Sequence, residues 1–199
     1  MMICIIIVKR SFLAMRITKQ RASENRTRVV DEAARLFREK GFDAVGVAEL
    51  MAAAGMTHGG FYNHFGSKDA VEATACAAVF EKSIARIGAV AETADPAARA
   101  ERFAAYRARY VSAASRDAPG ASCPMAAFAG DVSRQSEAVR GAYAQGLAGY
   151  LEAFASASDL PRAEAIRAFA GLVGALTLAR SVAASDPQLS DEILAAAQA

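Results

Sequence analysis

Residues 47–68, VAELMAAAGMTHGGFYNHFGSK, constrain the fold of this 199-residue chain more than any other stretch. The first part carries apolar residues at the i, i+3, i+4 and i+7 spacing of a helix that buries one face, namely Val47, Leu50, Met51 and Ala54. Gly55 follows, where a helix end favours a residue that tolerates positive φ. Thr57 can then accept from the N–H groups of a new first turn. The pattern predicts two short helices around a tight turn.

The second of these helices is unusually bare at its start. Phe61 and Phe65 lie four residues apart and are expected on its inner side, whereas Tyr62 and Asn63 point elsewhere. Glycine inside a helix costs about 1 kcal/mol relative to alanine. The pair Gly59–Gly60 therefore indicates either close approach to an outside partner or a weakly formed turn.

A longer stretch around this motif resembles a known family. Residues 27–71, TRVVDEAARLFREKGFDAVGVAELMAAAGMTHGGFYNHFGSKDAV, look like the DNA-binding domain of a TetR-family transcriptional regulator. The first-helix pattern AARLFREKGF, the helix-turn-helix and the closing FYNHF-x-SK run carry the resemblance together. It covers about residues 21–71, roughly a quarter of the chain.

The resemblance implies an all-α fold with two functional parts. An N-terminal three-helix helix-turn-helix domain at 21–67 would bind DNA, and a larger helical body at 68–199 would bind a ligand and dimerise. Residues 1–20 are expected to be a tail, either disordered or ahead of a true translation start at Met15.

The resemblance also implies which side chains meet DNA. Tyr62, His64 and Lys68 would contact phosphates, because a hydroxyl, an imidazole and an ammonium all donate to phosphate oxygens. The residues nearest the base edges would be Thr57, His58, Gly59, Gly60 and Asn63. Of these, Asn63 can bond an adenine edge in a bidentate manner.

Other positions leave alternatives open. Gly46 stands where many relatives have threonine or serine, so one phosphate contact is expected to be missing. Arg21, Arg26 and Arg28, at the first helix, are either a solvated edge or a group that reaches phosphate or the minor groove.

Charge is distributed unevenly along the chain. Residues 1–68 hold 11 Lys and Arg against 6 Asp and Glu, whereas residues 69–199 hold 12 against 15. The basic part is therefore the part with the motif, which favours a polyanion partner there.

The N-terminal apolar run and the cysteines exclude several classes of protein. The run at 1–8 is far shorter than a membrane span, and Lys9 and Arg10 follow it rather than precede it as in a secretory signal. The three cysteines, Cys4, Cys76 and Cys123, form no CxxC pair, so neither a disulfide framework nor a zinc site is indicated. We expect a cytoplasmic protein with no metal, no cofactor and no membrane partner.

Helical spacing continues through the body, where no strand pattern occurs. The predicted helices are 69–91, 97–115, 125–135, 137–157, 163–184 and 189–197. Helix 163–184 carries a stripe of small residues, Ala168, Gly171, Ala175 and Ala179, which would let two helices cross closely. With helix 189–197 it matches the family's four-helix dimer interface, so a homodimer is expected; an intramolecular core helix is the alternative.

A ligand cavity is the least determined feature. Aromatic residues at helical spacing are either plain core or a cavity lining, and the residues favoured for the lining are Tyr106, Tyr110, Phe128 and Tyr143. Cys123 is either a small buried residue or a thiol sensor.

Three functions are weighed on this basis. The first is a repressor that leaves its operator when a small-molecule inducer binds. The second is an enzyme, which lacks obvious catalytic residues, since both histidines, His58 and His64, lie in the DNA-facing helix. The third is a repressor that responds to electrophiles or oxidants through Cys123.

Overall fold

The computed structural model of the chain describes the backbone of residues 2–198 and the side chains of residues 19–198. Within that range every regular element is helical, as expected for the all-α class. The α-helices are α1 (Met2–Lys40), α2 (Val47–Ala53), α3 (Lys68–Ala91), α4 (Pro96–Tyr110), α5 (Ala113–Asp117), α6 (Pro124–Phe128), α7 (Glu137–Ser158), α8 (Arg162–Val182) and α9 (Pro187–Ala196). Short 3-10 helices cover His58–Asn63, Pro119–Ala121 and Val132–Arg134, and we name His58–Asn63 the recognition helix.

Helix α1 continues through the segment predicted to be a tail. No glycine or proline occurs between Met2 and Lys40, so nothing in the sequence interrupts the i to i−4 hydrogen bonds. The predicted boundary at residue 20 falls within α1 and stays a prediction. The side chain of Cys4 lies outside the described residues, and a translation start at Met15 stays a prediction.

The end of α1 is joined to the body of the protein. Gly41 adopts a φ of 83°, which ends the helix, and the N–H of Phe42 then donates to Asp131 Oδ2 at 3.1 Å. The Phe42 ring lies 5.2 Å from the ring of Phe37 and 4.7 Å from that of Phe128, centroid to centroid. A body residue therefore completes the core of the N-terminal half.

The turn between α2 and the recognition helix has the hydrogen bonds of a Schellman motif. The N–H of Met56 donates to Met51 O at 2.8 Å and that of Gly55 to Ala52 O at 3.0 Å, while Gly55 takes a φ of 70°. This confirms the sequence-based expectation that Gly55 supplies positive φ. The chain reverses within a few residues and presents the recognition helix at the surface.

The body is built around α3 and α7, which cross closely. Gly146 of α7 faces Phe80 of α3 so tightly that a Cβ at this glycine would lie 2.7 Å from Phe80 Cβ and closer still to the ring. Phe80 in turn meets the ring of Tyr143 edge-on at 5.3 Å. Helix α3 begins beside the recognition helix and ends deep in the body, so it connects the two.

Two predicted body helices are shorter than the sequence indicates. The helix predicted at 97–115 ends at Tyr110, because the Ser112 hydroxyl accepts from the N–H of Ser115 and starts α5. The helix predicted at 125–135 ends at Phe128 and is followed by a separate 3-10 turn. The other body helices agree with prediction to within two residues at each end.

Three of the four small residues predicted on the outer face of α8 are exposed or half-buried, and Ala179 is the exception. Ala179 is fully buried, and its carbonyl accepts from the Ser190 hydroxyl of α9 at 2.8 Å, so it does not belong to an outer stripe. The outward residues include Gly171 and Leu178, the latter 59% exposed. By length and composition α8 could also cross a membrane, a test that core helices of globular proteins pass as well. Its Arg180 donates inward to Ser115 O at 2.7 Å, so the helix packs on the body.

Candidate nucleic-acid interface and ligand cavity

The recognition helix is held from below by two phenylalanines. Phe61 is fully buried and Phe65 is 3% exposed, with their ring centroids 5.7 Å apart. Arg26 of α1 stacks over the Phe65 ring, 4.2 Å from guanidinium carbon to centroid, and donates to the carbonyl of His64. Neither of the two alternatives for Arg26, a solvated edge residue or a DNA contact, describes it fully, because its guanidinium supports the recognition helix. Arg21 and Arg28 are exposed.

The outer face of the recognition helix is uncovered. Tyr62 is 69% exposed, and its ring meets Phe61 edge-on at 5.3 Å. His58, Gly59 and Asn63 are also exposed, while Gly60 and His64 are half-buried. Five of the eight residues singled out for DNA therefore lie in the recognition helix, and a sixth, His64, follows it directly.

The remaining two residues, Thr57 and Lys68, flank the recognition helix. Thr57 is exposed at its start, but its hydroxyl makes no capping bond, contrary to expectation; its carbonyl accepts from the N–H of Gly60 at 3.0 Å instead. Lys68 begins α3, where its ammonium donates to Phe42 O at 2.9 Å and lies 3.2 Å from Glu72 Oε1. Burial is the main cause that raises the pKa of Glu72, and Lys68 opposes it.

Glycine at position 59 is not required by the fold. Only Gly41 and Gly55 among the described glycines have positive φ, and a Cβ at Gly59 would meet no atom within 4 Å. Gly46 likewise has open space around it and caps α2 without a side-chain bond. The absence of a side chain at Gly59 thus leaves room for something outside the chain.

A cavity of about 160 Å³ lies in the body between α3, α4, α7 and the loop after α5. We name it the tyrosine cavity, because Tyr106, Tyr110 and Tyr150 line it together with Cys123. The hydroxyls of Tyr106 and Tyr150 are hydrogen-bonded to each other. Burial raises the pKa of Tyr106 to about 12, so its hydroxyl is neutral near pH 7.

Two of the four residues favoured as cavity lining lie elsewhere. Phe128 is fully buried against Phe42, and Tyr143 packs on Phe80; neither lines the tyrosine cavity. Phe128, at the end of α6, is a core residue, and Tyr143 of α7 is partly buried where α7 packs on α3. Tyr106 and Tyr110 do line the cavity.

The sequence reasoning missed the polar lining of the cavity. Ser83, Arg86, Arg109 and Ser122 line it alongside the tyrosines. A signal was present for Ser83, which stands on the inward face of α3 four residues after the buried Val79 and four before Ile87. No local pattern brings Arg109 of α4 to the same place.

Cys123 lies in the wall of this cavity and is half-buried. The Tyr110 hydroxyl donates to Cys123 Sγ at 2.7 Å. Burial raises the pKa of the Cys123 thiol, and the effect outweighs the hydrogen bonds and the charge of Arg180 that lower it. A raised pKa leaves little thiolate, which is the reactive form. Among the described side chains no cluster of metal-ligating residues is present.

Comparison with known proteins finds relatives for a short N-terminal segment of the chain. Residues 29–72 match the model of the bacterial regulatory proteins of the tetR family. The chain is 39% identical over 54 residues to the uncharacterised HTH-type transcriptional regulator YerO of Bacillus subtilis, covering 27% of this chain and 19% of that one. It is 43% identical over 51 residues to the HTH-type transcriptional regulator AcrR of Shigella flexneri, covering 26% and 24%. The match thus spans a quarter or less of each curated relative.

Solved structures share the whole fold. The reduced form of Escherichia coli NemR superposes with a TM-score of 0.70 at 21% identity, over 87% of this chain and 95% of that one. Bacillus subtilis FadR in complex with stearoyl-CoA gives a TM-score of 0.55 at 17% identity, over 87% and 97%. At this identity the likeness establishes the arrangement of helices, namely an N-terminal helix-turn-helix followed by a helical body.

Proposed function

We propose that this chain, a transcriptional regulator of the tetR family, is a homodimeric repressor. It leaves its operator when a small molecule binds its body. The family and the matched relatives are regulators rather than enzymes. The observation that carries the proposal is the uncovered face of the recognition helix, with Tyr62 exposed and Phe61 buried beneath it. We place the protein in the cytoplasm, where its DNA is.

Each exposed group on that face has a chemical role toward duplex DNA. The hydroxyl of Tyr62 and the imidazole of His64 donate to phosphates and set the register. Lys68 has three N–H donors, and its two internal partners leave one for a phosphate. Thr57, His58, Gly59, Gly60 and Asn63 line the edge that enters the major groove, where the Asn63 amide reads an adenine.

The glycine at position 59 provides the sharpest test of this interface. Because nothing in the fold opposes a Cβ there, Gly59→Ala is expected to leave the free energy of unfolding unchanged or to raise it by about 0.5–1 kcal/mol. The same methyl group would collide with DNA in the groove and weaken operator binding. A variant that is equally stable and binds DNA as well as the parent would contradict close approach at this position.

Side-chain substitutions separate phosphate contacts from base reading. The purified protein is first footprinted on the DNA that flanks its own coding region. Fluorescence anisotropy then compares the footprinted duplex with a random duplex of equal length. Tyr62→Ala and Lys68→Ala are expected to weaken binding to both, and Lys68→Ala to reduce the slope of log K against log salt by about 1.

Asn63→Ala is expected to behave differently from the phosphate variants. It should lose about 1–3 kcal/mol of binding free energy on the footprinted duplex and little on random DNA. Gln145→Ala, which removes an exposed amide of α7, is the matched control and should bind as the parent does. Equal losses on both duplexes for Asn63→Ala would refute its base-reading role.

Helix α8 supports the proposed homodimer. Leu178 is 59% exposed and Ile166 40% exposed, and a Cβ at Gly171 or Gly174 would meet nothing within 4 Å. Small residues beside exposed leucine let a second copy of the helix approach closely. A two-fold pair would present two recognition helices to successive major grooves.

The dimer is tested by placing charge on that face. Leu178→Glu is expected to shift the protein from dimer to monomer in analytical ultracentrifugation and to weaken operator binding. Ala104→Glu adds the same charge to an exposed position of α4 and should leave the dimer intact. A dimer unaffected by Leu178→Glu would remove α8 from the interface.

The tyrosine cavity is the proposed inducer site, and α3 is the proposed link to DNA. Ser83 and Arg86 of α3 line the cavity, and the same helix starts at Lys68 beside the recognition helix. An inducer that prefers a shifted α3 would change the spacing of the two recognition helices. The structural neighbour FadR holds stearoyl-CoA, which is consistent with a ligand-binding body.

A second candidate is a repressor that responds to electrophiles or oxidants through Cys123. The thiol borders the cavity and accepts a hydrogen bond from Tyr110, and the neighbour NemR was solved in a reduced form. Against it stands the raised pKa of Cys123. Cys123→Ser decides the matter: oxidants or alkylators that still release the variant from DNA would end this candidate.

A further inference from the structure

The tyrosine cavity adjoins a second cavity, which Arg38, Lys82 and Arg86 line. This second cavity, of about 180 Å³, lies between α1, α3 and the 3-10 turn Pro119–Ala121, and we name it the arginine cleft. Ser83, Arg86 and Ser122 line both cavities, so the two adjoin along one wall. A ring held in the tyrosine cavity would therefore lie next to Arg86, which lines both cavities.

Two of the three cations that line the arginine cleft, Arg38 and Arg86, form no ion pair among the described side chains. Arg38 of α1 donates from Nε to Ala34 O at 2.8 Å and from Nη1 to Ser122 O at 3.0 Å, both of them neutral carbonyls. Among the described side chains Arg86 is in no ion pair. The carboxylate of Asp31 also borders the cleft, but it is paired with Lys82 at 2.5 Å.

The charge of Arg86 also acts on Arg38. Burial and the charge of Arg86 lower the pKa of Arg38 to about 10. The charge of Arg86 disfavours the charged form of Arg38, and an anion bound at Arg86 would reduce that repulsion. Arginine pairs with carboxylates through two parallel hydrogen bonds, which favours a planar anion here.

We propose that the adjoining cavities bind a small aromatic carboxylate. Its carboxylate lies at Arg86, which lines the arginine cleft with Arg38, and its ring lies among Tyr106, Tyr110 and Tyr150. The tyrosine cavity has the volume for one ring, since an engineered cavity of about 150 Å³ binds benzene. Tyrosine faces suit a ring that stacks or meets them edge-on. A cation is disfavoured by the arginines.

This proposal rests on the inducer site proposed above and adds a chemical class and a contact with the N-terminal half. Arg38 belongs to α1, Arg86 to α3 and Ser122 to a body loop. The carboxylate would thus lie beside α1, whose Arg26 supports the recognition helix. It would also lie beside α3, which follows the recognition helix in the chain. A ligand bound in this site would therefore change the position of the recognition helix.

Isothermal titration of the full chain with benzoate, benzamide and inorganic phosphate tests the proposal. Benzoate is expected to bind at least tenfold more tightly than benzamide, because a hydrogen-bonded charged group contributes about 1.5–3 kcal/mol. Inorganic phosphate is expected to compete weakly, since it lacks the ring. Equal affinity for benzoate and benzamide would overturn the anion site, and phosphate binding as tight as benzoate would overturn the aromatic part.

Substitutions then assign the contact. Arg86→Gln is expected to bring benzoate affinity down to that of benzamide without changing benzamide binding. Arg99→Gln removes a charge from α4 away from both cavities and should change neither. Arg86 is exposed, so the variant should keep the parent's melting temperature. An unchanged benzoate affinity in Arg86→Gln would overturn the proposal.

Operator binding is measured separately in the absence of any ligand, so that the two proposals fail independently. A chain that binds its operator but shows no preference for benzoate over benzamide overturns the anion site alone. A chain with an Arg86-dependent benzoate site that fails to bind DNA supports the anion site and overturns the repressor function.

Discussion

The crossing of α3 and α7 makes a quantitative prediction for Gly146→Ala. The new Cβ would lie 2.7 Å from Phe80 Cβ, an atom attached to the backbone of α3 that no rotation of the ring can remove. Overpacking of this kind costs about 1–3 kcal/mol, whereas alanine in place of glycine in a helix gains about 0.8–1.0 kcal/mol. The net expectation is a free energy of unfolding lowered by about 0–2 kcal/mol.

Gly141→Ala in the same helix is the control, because it gains helix propensity without a steric clash. Gly141 is exposed, and a Cβ there would meet nothing within 4 Å, so this variant should gain stability by about 0.8–1.0 kcal/mol. Urea unfolding followed by circular dichroism should therefore place Gly146→Ala about 1–3 kcal/mol below Gly141→Ala. Equal stability of the two variants would show that α3 and α7 do not cross at the described distance.

Three further predictions concern ionisable groups and the support of the recognition helix. Because the pKa of Glu72 is raised above its ordinary value of 4.5, mainly by burial, its contribution to the free energy of unfolding should fall as pH rises from below 4.5 through the folded-state pKa. Urea unfolding should thus show the parent losing stability relative to Glu72→Gln between acid and neutral pH; a constant difference would contradict the shift. Burial also raises the pKa of Cys123, so peptide mapping after iodoacetamide treatment at neutral pH should find it alkylated more slowly in the native than in the urea-unfolded protein, and equal rates would contradict its burial. Arg26→Ala should weaken operator binding more than Arg28→Ala does, because only Arg26 stacks on Phe65 and bonds the carbonyl of His64; a larger loss for Arg28→Ala would favour a direct phosphate role for that residue instead.

The parts that could be predicted from sequence are those determined by local spacing. The burial of Phe61 and Phe65 and the exposure of Tyr62 follow from residues one and four apart on a helical segment. Gly55 ends α2 in the left-handed region because glycine alone tolerates it without strain. These features place the candidate DNA-binding face without any knowledge of the body.

The parts that could not be predicted depend on packing between distant segments. The recognition helix is a six-residue 3-10 helix rather than an α-helix, because Gly59 and Gly60 contribute little to helix stability and the chain is held by Phe61 and Phe65 from below. Phe128 is core rather than lining because its loop docks on Phe42, about 86 positions away in the chain. Arg86 and Arg109 share a cavity only because α3 and α4 lie side by side.

The ring of Phe128 on Phe42 has a consequence for where the molecule can be divided. Cutting the chain at residue 67 would strip that ring and the Asp131 carboxylate from the end of α1. A fragment of residues 1–67 would then expose the apolar surface around Phe42 that Phe128 covers in the full chain. Residues 1–67 therefore do not form a complete core by themselves, because part of that core comes from Phe128. Exchanging either part for that of a relative would require this contact to be rebuilt.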